Sequence, residues 1–193
     1  MLSLSAHKFN GPKGVGALIC RRGIMPLNFM DGGAQERGRR AGTENLAGIV
    51  GLATALDLAV RNLDKKIADE RAMRDYVLKE IQAMPKVKIN GPLDLNKRLP
   101  NNINASFEAA EGESLLLMLD MKGICASSGS ACASGSLDPS HVLLAIGLPH
   151  EIAHCSLRIS FGIQNTMEDA KAVCTALKEI VATVRERSPL WHP

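Results

Sequence analysis

Apolar positions recur along this chain with two different periods. Leu46, Ile49, Val50, Ala53, Leu56 and Val60 follow one another at three- and four-residue steps, which predicts a helix that Thr43 or Asn45 can cap. A charged, helix-prone stretch runs from Asp64 to Met84 and ends at Pro85. Near residue 64 the apolar density drops, which sets a domain boundary between 1–63 and 64–193. Beyond it, Val87 to Ile89 predicts a short strand. Ile103, Ala105 and Phe107 alternate with polar residues, as do Cys155, Leu157, Ile159 and Phe161, so both read as half-buried strands. Between them Glu113 to Met121 reads as a helix closed by Gly123, and His141 to Ile146 as a short helix ended by Gly147. The last helix opens at Thr166 with Asp169 three residues on, a capping box, and its stripe is Ala170, Val173, Leu177, Ile180, Val181 and Val184. Toward the N-terminus, Gly11-Pro12 marks a turn before the apolar run Val15 to Cys20, while 31–43 is Gly- and Arg-rich without a period and reads as a loop. Interleaved strands and helices predict an α/β layered fold.

Composition narrows the function. Aromatic residues make up 3% of the chain, so base-stacking platforms are excluded, and a net charge of +3 without a Lys/Arg block argues against nucleic acid or a membrane surface. No apolar run reaches the length of a transmembrane helix, and residues 1–10 lack the apolar core of a signal peptide, so a cytoplasmic protein is expected. Five cysteines without CxxC spacing favour a reactive thiol over a disulfide framework or a metal site.

Three places can carry chemistry. Lys8 follows Ser5, Ala6 and His7 just before the GPKG turn. A neutral lysine amine can attack an aldehyde, and a hydroxyl and an imidazole beside it suit a phosphate. A lysine in a polar N-terminal segment is far more often an exposed surface residue, and Lys13 competes with it from inside the turn. Cys132 lies in Ser127-Ser128-Gly129-Ser130-Ala131-Cys132-Ala133-Ser134-Gly135-Ser136, where nothing bulky blocks a thiol. It reads either as a nucleophile that collects a group and delivers it or as filler in a serine-rich turn. Cys125 is a weaker rival, and Cys20, Cys155 and Cys174 read as structural. Arg158 points away from Leu157, Ile159 and Phe161 on what reads as a central strand, and its planar fork suits a carboxylate. A solvent-facing salt bridge is the competing reading. His154 shares the parity of Arg158 and reads as a structural histidine.

The segments SAHKFNGPKGVGAL, GGAQERGRRAGTEN, NNINASFEAAEGESLL, SSGSACASGSLDPSHVL and AHCSLRISFG, in this order, resemble the cysteine desulfurases of pyridoxal-phosphate (PLP) fold type I, in the class V aminotransferase superfamily. They resemble the nitrogenase and iron–sulfur-cluster branch. The resemblance covers nearly the whole chain but only the C-terminal half of the family. It implies that 1–63 is the end of the large PLP-binding domain and 64–193 the small C-terminal domain with the cysteine loop. It implies that Lys8 carries PLP as a Schiff base, that Ser5 and His7 hold the cofactor phosphate, and that Thr43 reaches the phosphate of a partner subunit, hence a homodimer. Arg158 would bind the carboxylate of L-cysteine, and Cys132 would take the sulfur as a persulfide and release L-alanine. The acceptor would be a sulfur-acceptor or iron–sulfur scaffold protein. No metal site is implied. The family's N-terminal half would carry the aspartate that pairs with the pyridine nitrogen and the histidine that stacks on the ring. Asp31 and Ala34 depart mildly from the family's Gly-rich loop. Two alternatives remain: a non-catalytic interaction module built on the small domain, and another class V enzyme such as an aminotransferase or selenocysteine lyase.

Overall fold

The structure, a computed structural model, describes residues 1–128 and 139–192. The chain divides into two compact units, Met1–Leu63 and Asp64–Pro193.

In the first unit, β1 (Leu2–Ser5) pairs antiparallel with β2 (Gly16–Ile19), Leu2 opposite Ile19 and Ser5 opposite Gly16. β1 is legible only through that pairing, because four residues at the chain start carry too weak an alternation. A single 3-10 turn, Ala6–Phe9, joins them and ends at Asn10, whose φ of 66° is left-handed. The segment 31–43, expected as a loop, contains one helical turn, α1 (Gln35–Gly38), in which Glu36 and Arg37 both take left-handed φ. α2 (Leu46–Arg61) then starts from Asn45, whose side chain accepts the Gly48 N–H, so Asn45 and not Thr43 is the cap. The helix comes close to the 3-10 turn because the facing residues are small. A Cβ on Gly11 would sit 2.9 Å from the Ala6 Cβ and 3.3 Å from the Ala55 Cβ, and one on Gly51 would sit 2.9 Å from Pro12.

In the second unit, α3 (Leu63–Gln82) precedes a three-stranded antiparallel sheet in the order β3 (Val87–Ile89), β4 (Asn102–Phe107), β5 (Ser156–Ser160). Ile103 lies opposite Ile159 and Ala105 opposite Leu157. These residues and Phe107 face a core completed by Val77 and Ile81 of α3, Leu115 and Leu119 of α4 (Gly112–Asp120), and Leu177, Ile180 and Val181 of α7 (Met167–Glu186). The capping box at Thr166 and Asp169 forms as the sequence predicts. Two short helices, α5 (His141–Ala145) and α6 (His150–His154), pack on each other through Leu143, Leu148 and Ala153.

Two buried arginines tie loops to this core. Arg74 is 1% exposed and donates to the Leu99 carbonyl at 3.0 Å, pinning the 91–100 loop to α3. Arg185 donates to the carbonyls of Glu108 and Lys86 at 2.9 and 3.1 Å, and Trp191 stacks on its guanidinium at 4.2 Å.

Two readings of the sequence change here. Among the described residues β5 is the terminal strand of the sheet, not a central one, because strand order is set by non-local pairing. His154 belongs to α6 and not to the strand, so it does not share the face of Arg158.

Candidate functional site

The lysine segment is held by its backbone. The Ala6 N–H donates to the Val15 carbonyl at 3.1 Å, and the Gly11 N–H donates to the Ala6 carbonyl at 2.9 Å. Ala6 is fully buried, whereas Ser5, His7 and Lys8 are exposed. A rigid turn therefore presents a hydroxyl, an imidazole and a primary amine within four residues. That donor set fits PLP in two respects: an amine for the aldehyde, and hydroxyl and imidazole donors for a phosphate. Lys13, the competitor, is exposed in the turn before β2. Thr43 is exposed just ahead of α2 in the same unit.

A cleft of about 910 Å³ in this unit is lined by Gly16, Leu18, Arg37, Arg39, Arg40 and Asn45, among others. Ser5, His7, Lys8 and Thr43 do not line it. This cleft is thus distinct from the lysine turn.

In the second unit, alternation places Asn104, Ser106, Ser156 and Arg158 on the sheet face opposite the core, with Asn104 and Arg158 directly opposed in register. Asn90 joins this seam, donating to the Asn104 Oδ1 at 2.7 Å and the Ser106 Oγ at 2.9 Å. Arg158 is half-buried, and its Nη2 donates to the Ser127 Oγ at 3.3 Å. Its backbone exchanges both hydrogen bonds with Ser127 in an isolated antiparallel bridge. This contact with Ser127 was not foreseen from the sequence. The only cue was that Ser127 opens the serine-rich stretch.

Cys132 lies outside the described residues. The other thiols divide cleanly. Burial pushes Cys174 up to about 11 and raises Cys155 as well, so neither gives a ready thiolate near neutral pH. Cys125 is exposed. Among the described residues, no group of three His, Cys, Asp or Glu side chains is arranged to hold a metal ion.

Comparison with known proteins places this chain in a family. The aminotransferase class-V family model matches residues 1–173. The chain belongs to that family. Its members, including the cysteine desulfurases, use pyridoxal phosphate. The chain is 57% identical over its whole length to a cysteine desulfurase IscS of Clostridium botulinum (strain Hall), covering 49% of that protein. It is 52% identical over 98% of its length to the IscS of Methanosarcina thermophila, covering 46% of that one. The chain thus spans about half the length of the curated relatives it matches. Among solved structures, a NifS-like protein superposes on 94% of this chain and 46% of its own, with a TM-score of 0.81 and 35% identity. A structure described as SspA in complex with cysteine covers 82% of this chain and 43% of its own, with a TM-score of 0.57 and 31% identity. The fold is accordingly that of PLP fold type I, and the resemblance read from the motifs holds.

Proposed function

We propose that this chain carries the lysine turn and the small domain of a PLP-dependent cysteine desulfurase. The reaction converts L-cysteine to L-alanine, leaves the sulfur as a persulfide on Cys132, and passes it to an acceptor or iron–sulfur scaffold protein. The observation that carries the reading is the Lys8 turn, in which amine, hydroxyl and imidazole stand exposed on a backbone clamped to β2.

Each residue has a distinct task. Lys8 would hold the cofactor through its amine, and the same amine would move the substrate α-proton as a general base. The Ser5 hydroxyl and the His7 imidazole hold the phosphate, and Thr43 reaches the phosphate bound by a second copy, so the working form is a homodimer. Bound there, PLP supplies an electron sink that makes the α-proton acidic. The Arg158 fork holds the substrate carboxylate and so fixes which bond faces the base. The Cys132 thiolate takes the substrate sulfur: the carbon–sulfur bond breaks, a sulfur–sulfur bond forms, and the substrate carbon leaves as alanine. Cys155 and Cys174 are held in the less reactive thiol form by burial, which argues against either of them as the nucleophile. The SspA neighbour solved with cysteine supports the substrate class.

The test is the visible absorbance of a PLP–lysine Schiff base. It is expected when PLP is added to this chain together with the remaining half of a relative, and expected to vanish in Lys8→Ala. Cys132→Ser is expected to abolish persulfide formation while keeping that absorbance. Cys125→Ser is expected to preserve both. Persistence of persulfide in Cys132→Ser would exclude the role given to Cys132. Absence of any PLP absorbance, with partner binding intact in Lys8→Ala, would establish the interaction-module alternative instead.

A further inference from the structure

We propose that Ser127 is a positioning residue for Arg158, presenting its guanidinium fork to a carboxylate from the edge of the sheet. The proposal rests on the reading of Arg158 as the carboxylate clamp and adds the part that aims it.

An arginine on an edge strand is poorly placed for this work. Its long side chain loses much rotamer freedom when it is held in one pose, and a terminal strand offers neighbours on one side only. β5 is terminal, and its outer edge carries one bridge among the described residues, to Ser127. That bridge is complete. The Ser127 N–H donates to the Arg158 carbonyl at 3.1 Å, and the Arg158 N–H donates to the Ser127 carbonyl at 2.6 Å. Residues opposed in this way put their side chains on the same face at close range. The Ser127 hydroxyl uses that proximity to accept from the Arg158 Nη2 at 3.3 Å. One corner of the fork is thereby engaged, and among the described residues its other N–H donors have no side-chain partner.

The seat of Ser127 is itself constrained. A Cβ on Gly112, at the start of α4, would lie 2.6 Å from the Ser156 carbonyl oxygen, 2.9 Å from that of His154 and 3.3 Å from the Ser128 Cβ. The helix start, the beginning of β5 and residue 128 meet there with no room for a methyl group. That packing, with the bridge to Arg158, holds the backbone that carries Ser127 beside β5. On the other flank, Asn104 lies opposite Arg158 and is itself engaged by Asn90. Arg158 thus stands between Ser127, which accepts from its fork, and Asn104, whose Oδ1 already accepts from Asn90.

The experiment uses the 193-residue chain, labelled with nitrogen-15, and reads rotation about the Arg158 Nε–Cζ bond by NMR, with Arg158→Lys to assign the signal. Ser127→Val and Ser127→Thr are near-isosteric and differ by the hydroxyl. Val is expected to speed rotation by about threefold to tenfold, the range of one ordinary net hydrogen bond, while Thr keeps the wild-type rate. Amide shifts of Phe107, Leu115 and Leu177 report that the core is intact in both variants. Equal rates in Val and Thr with those shifts unchanged would overturn the proposal, because the hydroxyl would then hold nothing. Equal rates accompanied by a shifted core in both would also overturn it, because Ser127 would then be a packing residue. The clamp is read separately, by titrating wild-type chain with L-alanine through the millimolar range. No slowing of Arg158 there would defeat the carboxylate role while leaving the hydroxyl contact standing.

Discussion

α2 and α7 are both long and both rich in apolar residues, yet one builds a core and the other does not. α7 confines its apolar residues to one stripe, and Ala170, Val173, Leu177, Ile180 and Val181 are all buried. α2 carries them all round: Leu46, Val50, Leu58 and Val60 are each more than half exposed, and only Gly48 is buried. A helix that is apolar on every side is a helix for the interior of a larger body. The second unit is therefore self-sufficient in packing. The first holds its lysine turn through local hydrogen bonds and small-residue contacts rather than through a core. Rigidity at a site and stability of the unit that bears it are separate properties, and here they are separated along one chain.

The largest effect that tests this contrast is autonomy. Residues 64–193 produced alone are expected to unfold in one cooperative thermal transition followed by circular dichroism, and residues 1–63 alone are expected to show none. A cooperative transition in 1–63 would break the comparison at once. Within the whole chain, Leu177→Ala deletes a fully buried side chain and is expected to destabilise the second unit by about 3 kcal/mol, whereas Leu58→Ala on α2 should change stability by less than about 0.5 kcal/mol. Urea titrations of both variants check the pair.

The same contrast explains what could be read from the sequence. α7 was legible because its cap and its stripe are both local signals. β4 and β5 were legible because each alternates over several residues. β1 was not, since its four residues gain their meaning from β2 across the turn. α6 was not, since five residues after Pro149 give no period to detect. The terminal position of β5 was hidden for the same reason as β1: strand order is decided by distant partners. At the site, residue types made Lys8 and Arg158 candidates only, and the family resemblance gave them their roles. Their surroundings were not legible, because Ser127 reaches Arg158 across 31 residues and Asn90 reaches Asn104 across 14.

A smaller effect sharpens the comparison at the helix starts. Thr166→Ala removes one half of the capping box on α7 and is expected to cost about 1 kcal/mol in the cooperative transition of the second unit. Asn45→Ala removes the equivalent acceptor from α2, yet should leave that transition where it is, since the first unit contributes no buried core to it. Differential scanning calorimetry of the two variants distinguishes the helices. Acid works on the same cap. Hydrogen bonding from the Thr166 backbone holds the Asp169 carboxyl below its ordinary value, so its contribution is full above the unfolded value and disappears as pH falls through the lowered one.

The smallest expected effect has the opposite sign and depends on there being a core to feel it. Glu70 on α3 is 3% exposed, its Oε1 has no hydrogen-bond partner among the described residues, and Lys66 stands 3.7 Å away. Burial raises its carboxyl above the ordinary value despite that lysine. The folded state therefore binds a proton more tightly than the unfolded chain does. Whatever stability that proton confers is complete below the unfolded value and is lost as pH rises through the folded one, so at neutral pH the charged carboxylate is a burden. Glu70→Gln keeps the shape and removes the charge. It is expected to raise the melting temperature of the second unit slightly at neutral pH, with the advantage shrinking toward zero as the pH is lowered until Glu70 itself is protonated. A variant less stable than wild type at neutral pH would mean that the pair with Lys66 outweighs the desolvation of the carboxylate. α3 would then be held to its unit by charge as well as by its apolar stripe.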